Sequence, residues 1–381
     1  MTRTIAFSWI YPIDAAGGGV ERVTRRLMDG LDARGHRCLF LLHDQSTGHF
    51  VCDGEVYADL GTFLTERGVD VLVNQNGYSD TLTRALEGAT WSGRYVVCYH
   101  NEPFFLRKVF DLRAVIKLVT GAGARLATRL SWLARLAVYP LWQWISTLKI
   151  AATQARNYQR ADRYVVLSPS FLPQVRQLLR RGDLPKALAI ANPLSFDIAP
   201  DEAAGFEKHR DVLVVARLND GEKRISAALA AWRIVERQDT DGWALKIVGD
   251  GPDATGLAAA AQEMGLERVT FVGRAAPLPY YRSASIFLMT SRVEGWGLTL
   301  TEAMQTGTVP VAFDAYASLR DIVADGETGV IVANGDVGAL ADAILGLIRS
   351  PDRRAALSAR GIESAQRYRL DHVLDQWEAI L

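Results

Sequence analysis

Several things are scarce in this sequence, and each scarcity narrows its chemistry. Three cysteines in 381 residues, Cys38, Cys52 and Cys98, have no Cys-x-x-Cys spacing. That argues against a disulfide framework and a zinc site, and the three read as buried thiols in a reducing cytoplasm. No oxygen-rich constellation suited to Mg²⁺ is evident, and neither a metal nor a resident cofactor is expected. The amino-terminal stretch is too short in apolar residues for a signal peptide, so no export is expected. Low-complexity tracts and short repeats are missing as well.

Net charge is also absent, with 43 basic against 43 acidic side chains, but the balance is uneven along the chain. Residues 1–200 hold 24 Lys or Arg and 17 Asp or Glu, and the remainder holds the opposite excess. Between Arg107 and Arg160 there are ten basic residues and one acid, Asp111, a local field suited to an anionic partner. Nucleic acid is not expected to be that partner.

What is present is an ordinary globular composition, 49% apolar and 23% charged, in a chain too long for one core. Short apolar runs at Thr4–Ile10, Arg37–Leu42, Val69–Asn74, Arg94–His100 and Arg163–Leu167 alternate with helical periodicity. A second series follows a polar segment after Asn192-Pro193: Val212–Ala216, Trp243–Gly249, Val269–Val272, Ile286–Thr290, Val309–Phe313 and Val330–Val332. Two βαβ series predict an α/β protein of two doubly wound parallel sheets, over residues 1–197 and 198–365, with a closing helix over 366–381. Ligands of such sheets gather beyond the carboxyl ends of the strands, so a cleft where the two domains face each other is the expected site.

The strongest stretch follows the strand Ile286–Thr290 and reads SRVEGWGLTLTEAMQTGTVPVAF. Gly295 and Gly297 permit a close turn, Thr299 and Glu302 have capping-box spacing, and a helix reached through glycines offers backbone N–H groups to a phosphate. A well-capped helix with an exposed Glu294 is an equally good reading of that pattern alone. After the first strand of the second series, Arg217 and Lys223 flank a polar loop and could converge on a diphosphate, although a solvated charged loop is the commoner meaning. Gly249 and Gly251 in KIVGDGP fail the dinucleotide fingerprint, because Ala254 stands where its third glycine belongs. Gly17, Gly18 and Gly19 end the first strand, where glycine lets a phosphate or sugar approach, and His100 ends another.

Taken together these segments resemble the retaining family 4 glycosyltransferases, in particular those of capsular and exopolysaccharide synthesis. The likeness rests on Glu294-x7-Glu302 within EGWGLTLTEA, on GTVPVAF after it, and on GGVER at residues 18–22. It implies the GT-B fold, two Rossmann-like domains, and transfer from a nucleoside-diphosphate sugar with the anomeric configuration retained. By position it implies that Glu302 binds the ribose, Glu294 the donor sugar, and the N–H groups of Gly297 and Leu298 the sugar and phosphate. Arg217 and Lys223 then hold the diphosphate, Gly249 lines the donor site, Gly273 and Arg274 meet the base, and His100 with Gly18 and Gly19 lies beside the sugar. Trp296 replaces the common phenylalanine, and one residue more than usual separates Arg217 from Lys223.

The resemblance favours a lipid-linked saccharide acceptor, with a soluble one as alternative. A catalytically silent sugar-nucleotide-binding protein and a nucleotide-sugar epimerase on the same plan are the rival readings. Residues 130–148, LSWLARLAVYPLWQWISTL, are long enough to span a bilayer, but Arg135, Pro140 and Gln143 argue against it. Their aromatic residues, with Arg125, Arg129 and Lys149 nearby, predict docking on the anionic inner face of the plasma membrane, against the alternative of a hairpin packed on the amino-terminal domain.

Overall fold

The structure is a computed structural model that describes residues 2–13, 18–109, 112, 116, 133, 136, 138–238, 240 and 242–381. The chain divides into two compact units, Met1–Ser195 with Tyr368–Leu381, and Phe196–Arg367.

The first unit is built on an eight-stranded sheet of β1 (Thr4–Trp9), β2 (Arg37–His43), β3 (Phe50–Cys52), β4 (Glu55–Tyr57), β5 (Val71–Asn74), β6 (Arg94–Tyr99), β7 (Arg163–Val166) and β8 (Ala187–Ala189). Their order is β4-β3-β2-β1-β5-β6-β7-β8. The six strands from β2 to β8 pair in parallel, and all four residues of β5 are buried, as a continuous apolar run should be between two helical layers. The antiparallel hairpin β3–β4 at the edge turns through Asp53 and Gly54, both at positive φ. The sequence pattern does not reveal it: its strands are three residues long, and Glu55 and Val56 are both exposed.

Helix Gly19–Ala33 buries Val23, Leu27 and Leu31 at spacings of four. The helix Leu370–Glu378 belongs to this unit. Its Leu374 fills the space left by Gly30, where a Cβ would collide with it, and Trp377 packs 6.3 Å from Phe7. Arg34 pairs with Asp375 at 2.7 Å and Glu378 at 2.5 Å, and Arg94 donates to the carbonyls of Ile380 and Leu381.

The second unit holds a parallel six-stranded sheet, β9 (Asp211–Val215), β10 (Ala244–Val248), β11 (Val269–Gly273), β12 (Ile286–Met289), β13 (Val309–Phe313) and β14 (Val330–Val332), in the order β11-β10-β9-β12-β13-β14. Helices Ile225–Glu236 and Val337–Arg349 pack together over a core containing Trp232 and Phe313.

Each sheet reverses its winding at its first strand. β1 lies between β2 and β5, and β9 lies between β10 and β12. In a sheet of this kind the loops leaving the carboxyl ends on either side of such a strand diverge to opposite faces. Among the described residues no helix is long and apolar enough to cross a membrane.

Candidate functional site

In the second unit the loop after β9 is shaped by its neighbour after β10. Leu218 N–H donates to the Asp250 carbonyl at 2.9 Å, and Asp253 N–H returns to Leu218 at 3.0 Å. The backbones run so close that a Cβ at Gly249 would strike the Ala216 carbonyl, and one at Gly251 the Leu218 carbonyl. These glycines therefore have a structural reason to be there. Asp253 also accepts from Asp220 N–H at 2.7 Å, which fixes the turn leading to the short helix Asp220–Lys223.

Across the switch point, the loop after β12 is stitched to that turn. Arg224, in the left-handed region at φ +50°, reaches back to donate to the carbonyls of Thr290 at 2.7 Å and Ser291 at 3.0 Å, and to Asn334 at 2.8 Å. Its guanidinium lies 5.0 Å from the centroid of the Phe313 ring. Burial pushes Arg224 down to about 10, the Arg292 charge adds to this, and Asp220 opposes it. Thr290 Oγ1 donates to the Lys223 carbonyl at 2.8 Å, and Arg292 N–H to that of Glu222 at 2.7 Å. The outcome is an ion pair, Lys223 Nζ to Glu294 Oε1 at 2.5 Å, with both side chains largely shielded. Arg224 is the residue that sequence reading missed. Its partners are two main-chain carbonyls 66 and 67 residues away and the side chain of Asn334, 110 away, which no local pattern encodes.

The loop then enters the helix Leu298–Gln305 through Gly297 at φ +98°, and no side chain caps this end. The capping-box expectation fails here. The helix starts one residue before Thr299, which puts its hydroxyl inside the first turn, in contact with the Met289 sulfur at 3.8 Å. Glu302 is instead buried within the helix, 1% exposed. A glycine-capped helix end is a favourable place for an anion. Trp296, also buried, anchors the loop, and its carbonyl accepts from Ser318. Burial holds the Tyr316 hydroxyl well above its usual range, and the Glu294 charge nearby adds to that. Gly273, at φ +79°, closes β11 and accepts from Gly249 N–H at 2.9 Å, while Arg274 and Arg217 are exposed.

In the first unit Gly17 lies outside the described residues, and Gly18 and Gly19 are exposed at the start of their helix. Gly18 has an ordinary extended backbone, and the Glu21 carboxylate, which accepts from Trp9 Nε1 at 3.1 Å, stands against it. A carboxylate there disfavours a second anion and suits hydroxyl groups. His100, at the end of β6, holds Gln75 at the end of β5 through Nε2 and Oε1 at 2.5 Å, and burial pushes the imidazole down to about 4. Glu102 is buried in an ion pair with Lys108 at 2.7 Å. Burial also raises the thiols, Cys52 to about 11 and Cys38 and Cys98 further, so none is an activated nucleophile. Among the described residues no three His, Cys, Asp or Glu side chains are grouped to hold a metal ion.

Residues 196–364 match the family described as glycosyl transferases group 1. The second unit is a group 1 glycosyltransferase domain. The chain is 33% identical over 192 residues to a phosphatidyl-myo-inositol mannosyltransferase of Mycobacterium leprae, covering 48% of this chain and 50% of that one. It spans about half, or less, of the length of the curated relatives it matches. Sucrose-phosphate synthase from Thermosynechococcus elongatus superposes with a TM-score of 0.71 at 20% identity, covering 99% of this chain and 98% of that one. The Anabaena protein Alr3699/HepE, solved in complex with UDP, gives 0.67 at 14%, covering 100% and 99%. At these identities the likeness establishes the fold, which is GT-B, with the group 1 glycosyltransferase domain as its carboxyl-terminal unit.

Proposed function

We propose that the protein moves a sugar from a nucleoside-diphosphate donor to an acceptor hydroxyl, with retention of anomeric configuration and without a metal. The observation that carries this reading is the Lys223–Glu294 pair beside the Gly297-capped helix, within a group 1 glycosyltransferase domain. A cation and a positive helix end converge where a diphosphate leaving group needs its charge neutralised.

In this reading Arg217 and Lys223 hold the diphosphate, Gly297 and Leu298 offer backbone N–H groups, and Glu302 takes the ribose hydroxyls. Gly273 and Arg274 meet the base, and Gly249 shapes the donor site by letting its loop lie against Ala216. An arriving diphosphate competes with Glu294 for Lys223, and the released carboxylate turns to the sugar hydroxyls. The bond from the anomeric carbon to the phosphate oxygen breaks, and the acceptor oxygen attacks from the same face. Its proton passes to a phosphate oxygen of the departing nucleoside diphosphate. Neutral His100, with Gly18 and Gly19, lies beside the sugar. A metal would be redundant with these cations, which is why no cofactor is invoked.

A thermal-shift screen of nucleoside-diphosphate sugars, followed by NMR of the product's anomeric carbon, tests the proposal. Stabilisation by one nucleotide class and a retained configuration are expected. Inversion would overturn the mechanism, and binding without donor hydrolysis or transfer would instead favour a silent sugar-nucleotide-binding protein.

The acceptor we infer is a lipid-linked saccharide, met at the inner face of the plasma membrane. Part of the segment behind this reading, including Arg125, Arg129, Trp132 and Arg135, lies outside the described residues. The helix Tyr139–Arg160 supports it: Val138, Leu141, Trp144, Ile145 and Leu148 recur at helical spacing and are all exposed. Farther along, the same helix buries Gln154, Asn157 and Tyr158.

A further inference from the structure

At the carboxyl end of β5 the chain reads Asn74-Gln75-Asn76-Gly77, and nearly every polar group of this turn has a partner. Gln75 N–H donates to the Ser8 carbonyl at 2.9 Å, and Asn76 N–H to Asn74 Oδ1 at 2.9 Å. Gly77 N–H donates to the Cys98 carbonyl at 3.0 Å, so close that a Cβ on residue 77 would collide with it. The helix Tyr139–Arg160 supports the turn through two fully buried amides: Gln154 Nε2 reaches the Gly77 carbonyl at 3.0 Å, and Asn157 Nδ2 reaches it at 2.6 Å. These amides are themselves held, Gln154 by the Tyr164 hydroxyl at 2.6 Å and Asn157 by Thr83 Oγ1 at 2.6 Å. Asn74 Nδ2 donates to the Tyr95 hydroxyl at 2.9 Å.

Two groups stand outside this accounting. Gln75, 1% exposed, has Nε2 buried with no hydrogen-bond partner among the described residues, and Asn76, 5% exposed, has Oδ1 in the same condition. One is a donor and the other an acceptor, on adjacent residues of a rigid turn beside His100. Buried polar groups are ordinarily paired, and exceptions cluster where a ligand completes the set. A donor and an acceptor on one turn suit a hydroxyl, which accepts and donates at once.

We propose that Gln75 and Asn76 form a saccharide-hydroxyl subsite, in which Gln75 also positions His100 by accepting its Nε2–H. The geometry requires the proton on Nε2, which leaves Nδ1 as the acceptor face of the ring. Gln75 Oε1 already meets the imidazole, and Gln75 Nε2 and Asn76 Oδ1 are the unpartnered atoms that the turn offers a sugar. Tyr11 and Tyr78, 57% and 40% exposed, stand on the loops leaving β1 and β5, and proximity to Tyr11 and Glu21 adds to the burial that raises Tyr78. The inference rests on the glycosyltransferase reading above, and deepens it by naming two further residues for saccharide hydroxyls.

The test uses the full chain with Gln75→Leu, Gln75→Glu and Asn76→Ala, with UDP-, GDP- and ADP-glucose and the three free nucleoside diphosphates as probes. Gln75→Leu should leave binding of the free nucleoside diphosphates within twofold and slow sugar release from the sugar nucleotide at least tenfold. Asn76→Ala should raise KM for the sugar nucleotide at least threefold. Gln75→Glu places a carboxylate on the imidazole, and NMR titration of His100 without any ligand should move up by more than one pH unit. Unchanged release in Gln75→Leu, or an equal loss of nucleoside diphosphate, overturns the subsite. An unmoved His100 titration overturns the positioning role. If the wild-type protein binds none of the nucleotides, the glycosyltransferase reading fails and the saccharide subsite falls with it, while the titration still reports on the Gln75–His100 pair.

Discussion

Lys223 and Glu294 lie 71 positions apart and meet at 2.5 Å on opposite sides of the second sheet's switch point. Each is held there by main-chain bonds, Lys223 through its carbonyl to Thr290 and the Glu294 loop through Arg292 to Glu222. A side chain committed to an internal partner must exchange it to serve a ligand. Removing Glu294 should therefore tighten one step and impair another. Glu294→Gln is expected to bind the cognate nucleoside diphosphate more tightly by calorimetry, while transfer falls at least tenfold. Lys223→Ala should weaken the same binding by about 1.5–3 kcal/mol, the worth of a charge-assisted hydrogen bond. Equal affinity in both variants and wild type would remove the diphosphate role.

Glu302 tests the nucleoside end. Its carboxylate is buried inside a helix, not at the helix cap, so its replacement leaves the helix start intact. Glu302→Ala should cost about 1.5–3 kcal/mol of nucleotide binding with an unchanged circular-dichroism spectrum. Full transfer activity in this variant would sink its assignment.

Gly249 and Gly273 both have positive φ, yet their surroundings differ. A Cβ at Gly249 meets the Ala216 carbonyl, whereas one at Gly273 meets nothing within 4 Å. Gly273→Ala should lose only backbone strain, about 1–2 kcal/mol, and Gly249→Ala measurably more in urea denaturation. Equal losses would show that the two loops separate more easily than their hydrogen bonds suggest.

Lys208 gives the second unit a pH signature. Its ammonium donates to the carbonyls of Tyr281 and Thr306 and to Thr308 Oγ1, with no carboxylate among these partners, and burial pushes it from 10.5 down to about 7. Between those values the unfolded chain holds a proton that the folded chain does not. This group's contribution to stability therefore rises with pH from about 7 and is smallest below it. Melting temperatures at pH 6 and pH 9 should differ more for the wild type than for Lys208→Met. The same pH dependence in both would place the effect elsewhere.

Membrane docking is decided by flotation with liposomes. Binding should rise with anionic lipid, fall with salt, and weaken in Trp144→Glu and Leu148→Glu, whose side chains are 56% and 37% exposed. A protein that stays in the soluble fraction at low salt would favour a soluble acceptor.

The βαβ alternation was legible because buried parallel strands are runs of apolar residues, and β13 and β14 fall on their expected limits. The hairpin β3–β4 was not, because an exposed edge of three-residue strands carries no such run. Glu294, Lys223 and Gly297 could be singled out through the likeness to the family 4 glycosyltransferases, because their spacing to glycines and strand ends alone also fits a capped helix and a solvated loop. Gln75, Asn76 and Arg224 could not. A lone amide after a strand is indistinguishable from a loop residue until its unsatisfied atom is seen, and an arginine bonded to carbonyls leaves no partner in the sequence to find.

The helix Leu370–Glu378 completes the first unit from the far end of the chain. The whole of Phe196–Arg367 is thus an insertion, entered and left by separate crossings, and only this second unit is continuous in sequence. During synthesis the second unit can fold as soon as it emerges. The first must wait, with the face of helix Gly19–Ala33 around Gly30 uncovered, until Leu374 and Trp377 have been made. Shortening the chain by these last residues would therefore damage the half that is translated first.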